Sequence, residues 1–158
     1  MSSITVFALA FGIGVVSGLR SMTAPAVVTW AVYWRWFSLR RTALVFLDSA
    51  AAMYVFTGLA VLELVADKLP KTPSRKAPLG LIARIIFGGL SGAAFAVAEK
   101  EPLVIGAILG ALGGVAGAFA GYGVRSRLVT ALKVPDFVIA LLEDAVAIGG
   151  GFFLASRL

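Results

Sequence analysis

The stretch PLVIGAILGALGGVAGAFAGYGV, residues 102–124, holds no charged side chain and sets Gly106, Gly110, Gly113, Gly117 and Gly121 three or four residues apart. That spacing lines the glycines along one face of a helix. A run of this length matches what a helix needs to cross a bilayer, about 20 residues at about 1.5 Å each. On either side, further apolar segments cover residues 4–18, 25–36, 42–65, 79–98 and 135–156. The last four of the six are long enough to span. The first is marginal and the second is too short to span alone. Pro78, Pro102 and Pro135 stand at segment heads, where a first helical turn tolerates proline. Residues 67–80 contain Pro70, Pro73 and Pro78, which excludes a regular helix there. Open strands cannot survive in lipid, and no ladder of alternating segments suggests a barrel. The expected fold is an all-α transmembrane helix bundle of five to six membrane segments, one short or re-entrant, forming a single integral membrane domain over residues 1–158.

Composition agrees. Hydrophobic residues make up 60% of the 158, with 18 glycines besides, and mean hydropathy is +0.99. A small soluble globule has too much surface for its volume to hide that share, so a soluble monomer and a disordered chain are both excluded. There is no cysteine and no histidine. Disulfides, thiolate or imidazole metal sites and histidine bases are therefore excluded. No metal and no cofactor is expected. The formal net charge is +6. In a membrane chain this points to a positive cytoplasmic face beside anionic lipid. Membrane lipids are thus the expected partners, and nucleic acid is not.

Orientation follows from Lys and Arg. Residues 67–76 hold Lys68, Lys71, Arg75 and Lys76, and the stretch after the fifth segment holds Arg125, Arg127 and Lys133. Both are expected on the cytoplasmic side. The Glu99-Lys100-Glu101 turn is then expected outside. Arg35, Arg40 and Arg41 fall outside with it, against the rule. Trp30, Trp34 and Trp36 mark an interface. Residues 1–5 lack the basic start of a signal peptide, so the first segment reads as a retained helix. The polar break at 18–25 favours a hairpin of the first two segments.

Gly14 and Gly18 in the first segment and Gly88 in the fourth match the glycine face of the fifth. Small residues let helix backbones approach closely in lipid, so tight packing is their expected role. A candidate internal repeat sets Gly18-Leu19-Arg20-Ser21 beside Gly123-Val124-Arg125-Ser126. Transporters are often built from such repeats.

Charges inside apolar segments are the strongest functional signal. Asp48 lies in the third segment, Arg84 in the fourth, and Glu143 with Asp144 in the sixth. A charge near the middle of a spanning helix costs roughly 2.5–3.5 kcal/mol, so such groups face the protein interior or water. Arg84 shares a face with Gly88 and is the expected partner of Glu143 or Asp144. Adjacent residues point about 100° apart on a helix, so one arginine cannot serve both carboxylates. Asp48, near the start of its segment, reads as a half-buried interface residue. Lys71, Thr72 and Arg75 form with Arg20 and Arg84 a candidate site for an anionic head group, since Arg makes forked contacts to phosphate and Lys supplies a compact charge. No Walker-type pattern accompanies them.

The strings GLRSMTAPAVV (18–28), ELVADKLPKTPSR (63–75), APLGLIAR (77–84) and LLEDAVAIGGG (141–151) resemble the bacterial membrane-protein family known as domain of unknown function 4126. The resemblance runs through nearly the whole chain and implies a small multi-pass protein of the inner membrane. It implies no activity.

The expected function is a transporter or channel-like carrier for an ion or an anionic, phosphate-bearing solute or lipid. Its candidate site is Arg20, Lys71, Thr72, Arg75, Arg84, Glu143 and Asp144. A chain this small needs a second copy to enclose a path, so a homo-oligomer is expected. The alternatives are an enzyme acting on a lipid head group, with Glu143 or Asp144 as base and Arg75 or Arg84 as electrophile, and a structural or assembly protein.

Overall fold

The computed structural model describes residues 1–68 and 78–158. Among these the chain forms α1 (Ser3–Leu19), α2 (Thr23–Tyr33), α3 (Ala50–Ala66), α4 (Pro78–Ala98), α5 (Leu103–Leu132) and α6 (Asp136–Ala155), with a single 3₁₀ turn at Val45–Asp48. Three helices, α4, α5 and α6, are long and apolar enough to cross a membrane. The shorter apolar helices α1 and α3 have 17 residues each, the low end of the spanning range of about 17–25. The protein is an all-helical membrane protein.

Local chemistry sets the helix ends. Ser2 caps α1 by accepting from the Thr5 N–H, and Ser49 caps α3 by accepting from the Ala52 N–H. Each serine supplies the acceptor that a helix start lacks. Pro78 is the first residue of α4, and Pro102 and Pro135 are the residues before α5 and α6. Arg35, Lys100 and Lys133 adopt positive φ of 64°, 62° and 52°. Each follows a helix C-terminus, a place where glycine is usual. A cation placed just past a helix C-terminus is favoured by the helix dipole.

Three boundaries differ from the sequence expectation, and the first is that α2 ends at Tyr33, not at 36. The third helix begins at Ala50, not at 42. The intervening residues form the 3₁₀ turn, and Asp48 within it pairs with Arg40 at 3.5 Å. Asp48 is therefore outside the helix. The fifth helix continues past Val124 to Leu132, 30 residues in all, or about 45 Å. Arginines end an apolar run without ending a helix, because their long stems suit helical geometry.

Packing runs through the glycines. A methyl group at Gly14 would fall on the Gly110 carbonyl, and one at Gly113 on the Phe11 carbonyl. At Gly18 it would stand 2.5 Å from the Gly114 oxygen, and at Gly88 2.6 Å from the Gly110 oxygen. Gly106 and Gly117 are equally tight against α4 and α1, and Gly121 is buried. The backbone of α5 is wedged between those of α1 and α4. Successive contacts (Gly14 with Gly110, Gly18 with Gly114) make α1 and α5 parallel. Those of Gly88 with Gly110 and Gly92 with Gly106 make α4 antiparallel to α5. α1 and α2 form a hairpin. α2 runs back beside α3, with the Trp30 indole N–H donating to Thr57 Oγ1 at 2.9 Å. The chain thus alternates direction. Both termini, the 34–49 segment and the Glu99-Lys100-Glu101 turn share one end of the bundle, and the break at Arg20 lies toward the other.

Candidate functional site

The site begins at the break between α1 and α2. Arg20 is extended (φ −141°, ψ 110°) and ends α1. Such a break inside a bundle leaves carbonyls at one helix end and N–H groups at the next without helical partners. Two charged side chains take them. Arg84 Nε donates to the Gly18 carbonyl at 2.9 Å and its Nη1 to the Gly80 carbonyl at 3.0 Å. Glu63 accepts from the Ser21 N–H, the Ser21 hydroxyl and the Met22 N–H, each at 2.8 Å. A cation thus sits at the end of α1 and an anion at the start of α2, as the helix dipoles favour. The Ser17 hydroxyl donates to the Arg84 carbonyl at 3.2 Å, tying α1 to α4.

The freed Arg20 side chain turns inward and is 0% exposed. Its Nε donates to Asp144 Oδ1 at 2.6 Å, its Nη2 meets the same oxygen at 2.6 Å, and its Nη1 meets Asp67 Oδ2 at 2.7 Å. The two Nη contacts are at ion-pair distance but off the hydrogen-bond direction, so charge rather than alignment holds them. Each carboxylate is shared with a second cation. Lys68 Nζ donates to Asp144 Oδ2 at 2.7 Å. Arg125 Nη1 donates to Asp67 Oδ2 at 2.8 Å. Arg125 also donates from Nε to Asp136 Oδ1 at 2.8 Å, and its Nη1 lies 3.7 Å from Glu143 Oε2. The result is a chain of alternating charge, Lys68–Asp144–Arg20–Asp67–Arg125, branching to Asp136 and Glu143. Asp144 stands eight residues into α6 from Asp136, about 12 Å along the helix.

A cavity touches this chain. It lies between α5 and α6, with a volume of ≈ 240 Å³, and Arg125 and Glu143 line it beside Leu19, Leu128, Leu142 and Val146. It is an apolar groove with one ion pair in its wall. No group of three acidic residues that could hold a metal occurs among the described residues.

Of the expected site, Arg20, Glu143 and Asp144 come together. Arg84 lies beside them, but its described bonds go to the Gly18 and Gly80 carbonyls. The ion pairs of the acidic residues run instead to Arg20 and Lys68 for Asp144 and to Arg125 for Glu143. The two neighbouring carboxylates do find separate cations. Lys71, Thr72 and Arg75 lie outside the described residues. Asp67, Lys68, Glu63 and Arg125 were not expected at the site. The signal for Arg125 was present: it is the arginine of the second of the two similar strings, Gly123-Val124-Arg125-Ser126, and both string arginines meet one oxygen of Asp67.

A family model described as Domain of unknown function (DUF4126) matches residues 7–156. No curated protein and no solved structure matches the chain.

Proposed function

The chain belongs to that family, whose description carries no activity, and from the geometry we propose a small carrier of the bacterial inner membrane that moves an ion or an anionic, phosphate-bearing solute or lipid. The observation that supports this most is Arg20, a guanidinium with no exposed surface shared between the carboxylate that follows α3 and one from α6. Each of those carboxylates holds a second cation. A network of this kind can exchange partners without stranding a charge. An incoming anion that takes Arg125 releases Glu143 or Asp67 to a proton or to another cation. Buried ionisable groups within a bundle are the usual mark of a solute or ion pathway.

The route would use the seam beside the charge chain. Where their glycines meet, the α1, α4 and α5 backbones touch and leave no path through the layer. The α5–α6 groove reaches Arg125 and Glu143 from the lipid side. A second copy covering this seam would enclose a path, and a homo-oligomer is part of the proposal.

The test uses the protein in sealed vesicles, with efflux of radiolabelled phosphate and exchange of a head-labelled phosphatidylglycerol between leaflets as probes. Wild type should move one of these well above empty vesicles. Glu143→Gln should lower that flux at least tenfold with an unchanged thermal midpoint. If wild type moves neither probe above background, the carrier reading fails. The same complete pairing supports a second reading, in which the ion pairs only order the helices. That reading expects Glu143→Gln to alter stability and no flux in any variant.

A further inference from the structure

The end of the bundle holding both termini has a basic cavity of its own. Its volume is ≈ 640 Å³, and Arg40, Arg41 and Lys100 line it with Ser38, Thr42 and Glu101. Three cations stand there against one carboxylate. Arg40 is 3.5 Å from Asp48. Arg41 and Lys100 have no ion pair among the described residues. Sequence alone gives the Glu99-Lys100-Glu101 turn a negative sign. The 34–49 segment reverses that sign by laying two arginines beside the turn.

These are the cations that break the Lys/Arg rule. On the orientation set by the basic 67–76 and 125–133 stretches this end faces out, where Lys and Arg are disfavoured. Their presence there calls for a load other than topology. The cavity gives one, since Arg and Lys with the Ser38 hydroxyl form a donor set that recognises a phosphate, while the Thr42 hydroxyl already donates to the Leu39 carbonyl.

A second cavity continues from the first. Leu103 lines both, and the adjacent residues Ala43 and Leu44 line one each. The second is an apolar groove of ≈ 430 Å³ between α4 and α5, floored by Gly89, Ala93, Ala107 and Ala111. Small side chains on both helices leave it open. From Leu103 to Ala111 it descends eight residues, about 12 Å, which approaches half of the bilayer core of about 30 Å. A basic chamber at the interface above an apolar trough of one-leaflet depth has the form of a head group and an acyl chain.

We propose that this composite cavity is a binding site for an anionic phospholipid of the outward leaflet, its phosphate held by Arg41, Lys100 and Arg40 and one acyl chain laid in the α4–α5 groove. The site lies at the opposite end of the bundle from Arg20 and does not depend on the carrier reading. Charge selects the head, and the small-residue groove selects a chain over a bare phosphate.

The test uses the purified full chain in a neutral detergent, with retained lipid counted by native mass spectrometry. The probes are phosphatidylglycerol, phosphatidylcholine of the same chains, and soluble glycerol phosphate as competitor. Wild type should retain phosphatidylglycerol at least tenfold better than phosphatidylcholine. Arg41→Gln with Lys100→Gln, both at exposed positions, should remove most of that preference without moving the thermal midpoint. Ala111→Leu should fill the groove and weaken both lipids while leaving the head-group preference. Equal retention of the two lipids by wild type would overturn the proposal, as would an unchanged preference in the double variant. Full displacement of the lipid by glycerol phosphate at matched concentration would assign the chamber to a soluble phosphate and overturn the lipid. A lipid-independent dimer that Ala111→Leu dissolves would assign the groove to a second copy, with the same consequence.

Discussion

Arg20 and Asp144 carry the largest single-residue stake. Both are buried, and each shields the other from an environment in which a lone charge is costly. Removing one partner of a buried pair costs about 3–5 kcal/mol because the other is left stranded. Asp144→Asn should therefore lower the thermal midpoint in detergent sharply, since Arg20 keeps Asp67 alone and Lys68 loses its carboxylate. Adding Arg20→Gln should recover part of the loss, giving a coupling of about 1–3 kcal/mol in a double-mutant cycle. Strict additivity of the two would sink the account of a shared pair. Glu63 has a different task. It accepts three donors at the head of α2 and belongs to the architecture of the break rather than to the charge chain around Arg20.

At the scale of elements, helices α1, α4 and α5 form a layer held by backbone contact. Hydrophobic burial drives little association in lipid, so closeness of packing and polar bonds must serve. The glycines divide accordingly. Gly14 and Gly113 have a neighbouring carbonyl where a side chain would begin, whereas Gly123 and Gly149 have nothing within 4 Å. Gly14→Ala should destabilise the bundle by several kcal/mol, or abolish its accumulation. Gly123→Ala should be neutral or stabilising by about 1 kcal/mol, the helix propensity difference. Thermal midpoints of the two variants check this. Equal effects would mean that α1 and α5 do not meet through their glycine faces.

At the scale of the whole molecule, the alternating helix directions put both termini at the Lys100 end and Lys133 at the opposite end. Small tags at the N- and C-terminus should be reached by an impermeant protease from the same side of the membrane as a cysteine label at Lys100→Cys. A label at Lys133→Cys should be reached only from the other side. Tags found on opposite sides would rule out an even number of crossings and with it the α1–α2 hairpin. The same topology explains the two charged ends. One gathers residues from all six helices or their junctions around Arg20, and the other gathers Arg40, Arg41 and Lys100 from two connections far apart in the chain.

The sequence by itself determined the solvent and the fold class. Hydropathy and length are local properties, and segments such as 102–124 declare a membrane helix whatever surrounds them. It also determined which face of α5 would be narrow, because a three-and-four glycine spacing depends only on helical geometry. The prolines at the heads of α4, α5 and α6 were legible for the same reason, whereas the Ser49 cap was hidden inside an apolar run that continues from residue 42. Partners among the charges were not. Arg84, Arg20 and Arg125 all lie within reach of the acidic pair along the chain's helices, and the choice depends on how α1 breaks. Once Arg20 goes extended, Arg84 donates to the carbonyl the break exposes and Arg20 turns to Asp144. That exchange follows from unsatisfied backbone groups, which exist only in the folded arrangement. The basic chamber at the Lys100 end arose likewise. The turn at Lys100 is net negative when read along the chain, and becomes positive only where the tertiary fold sets Arg40 and Arg41 against it.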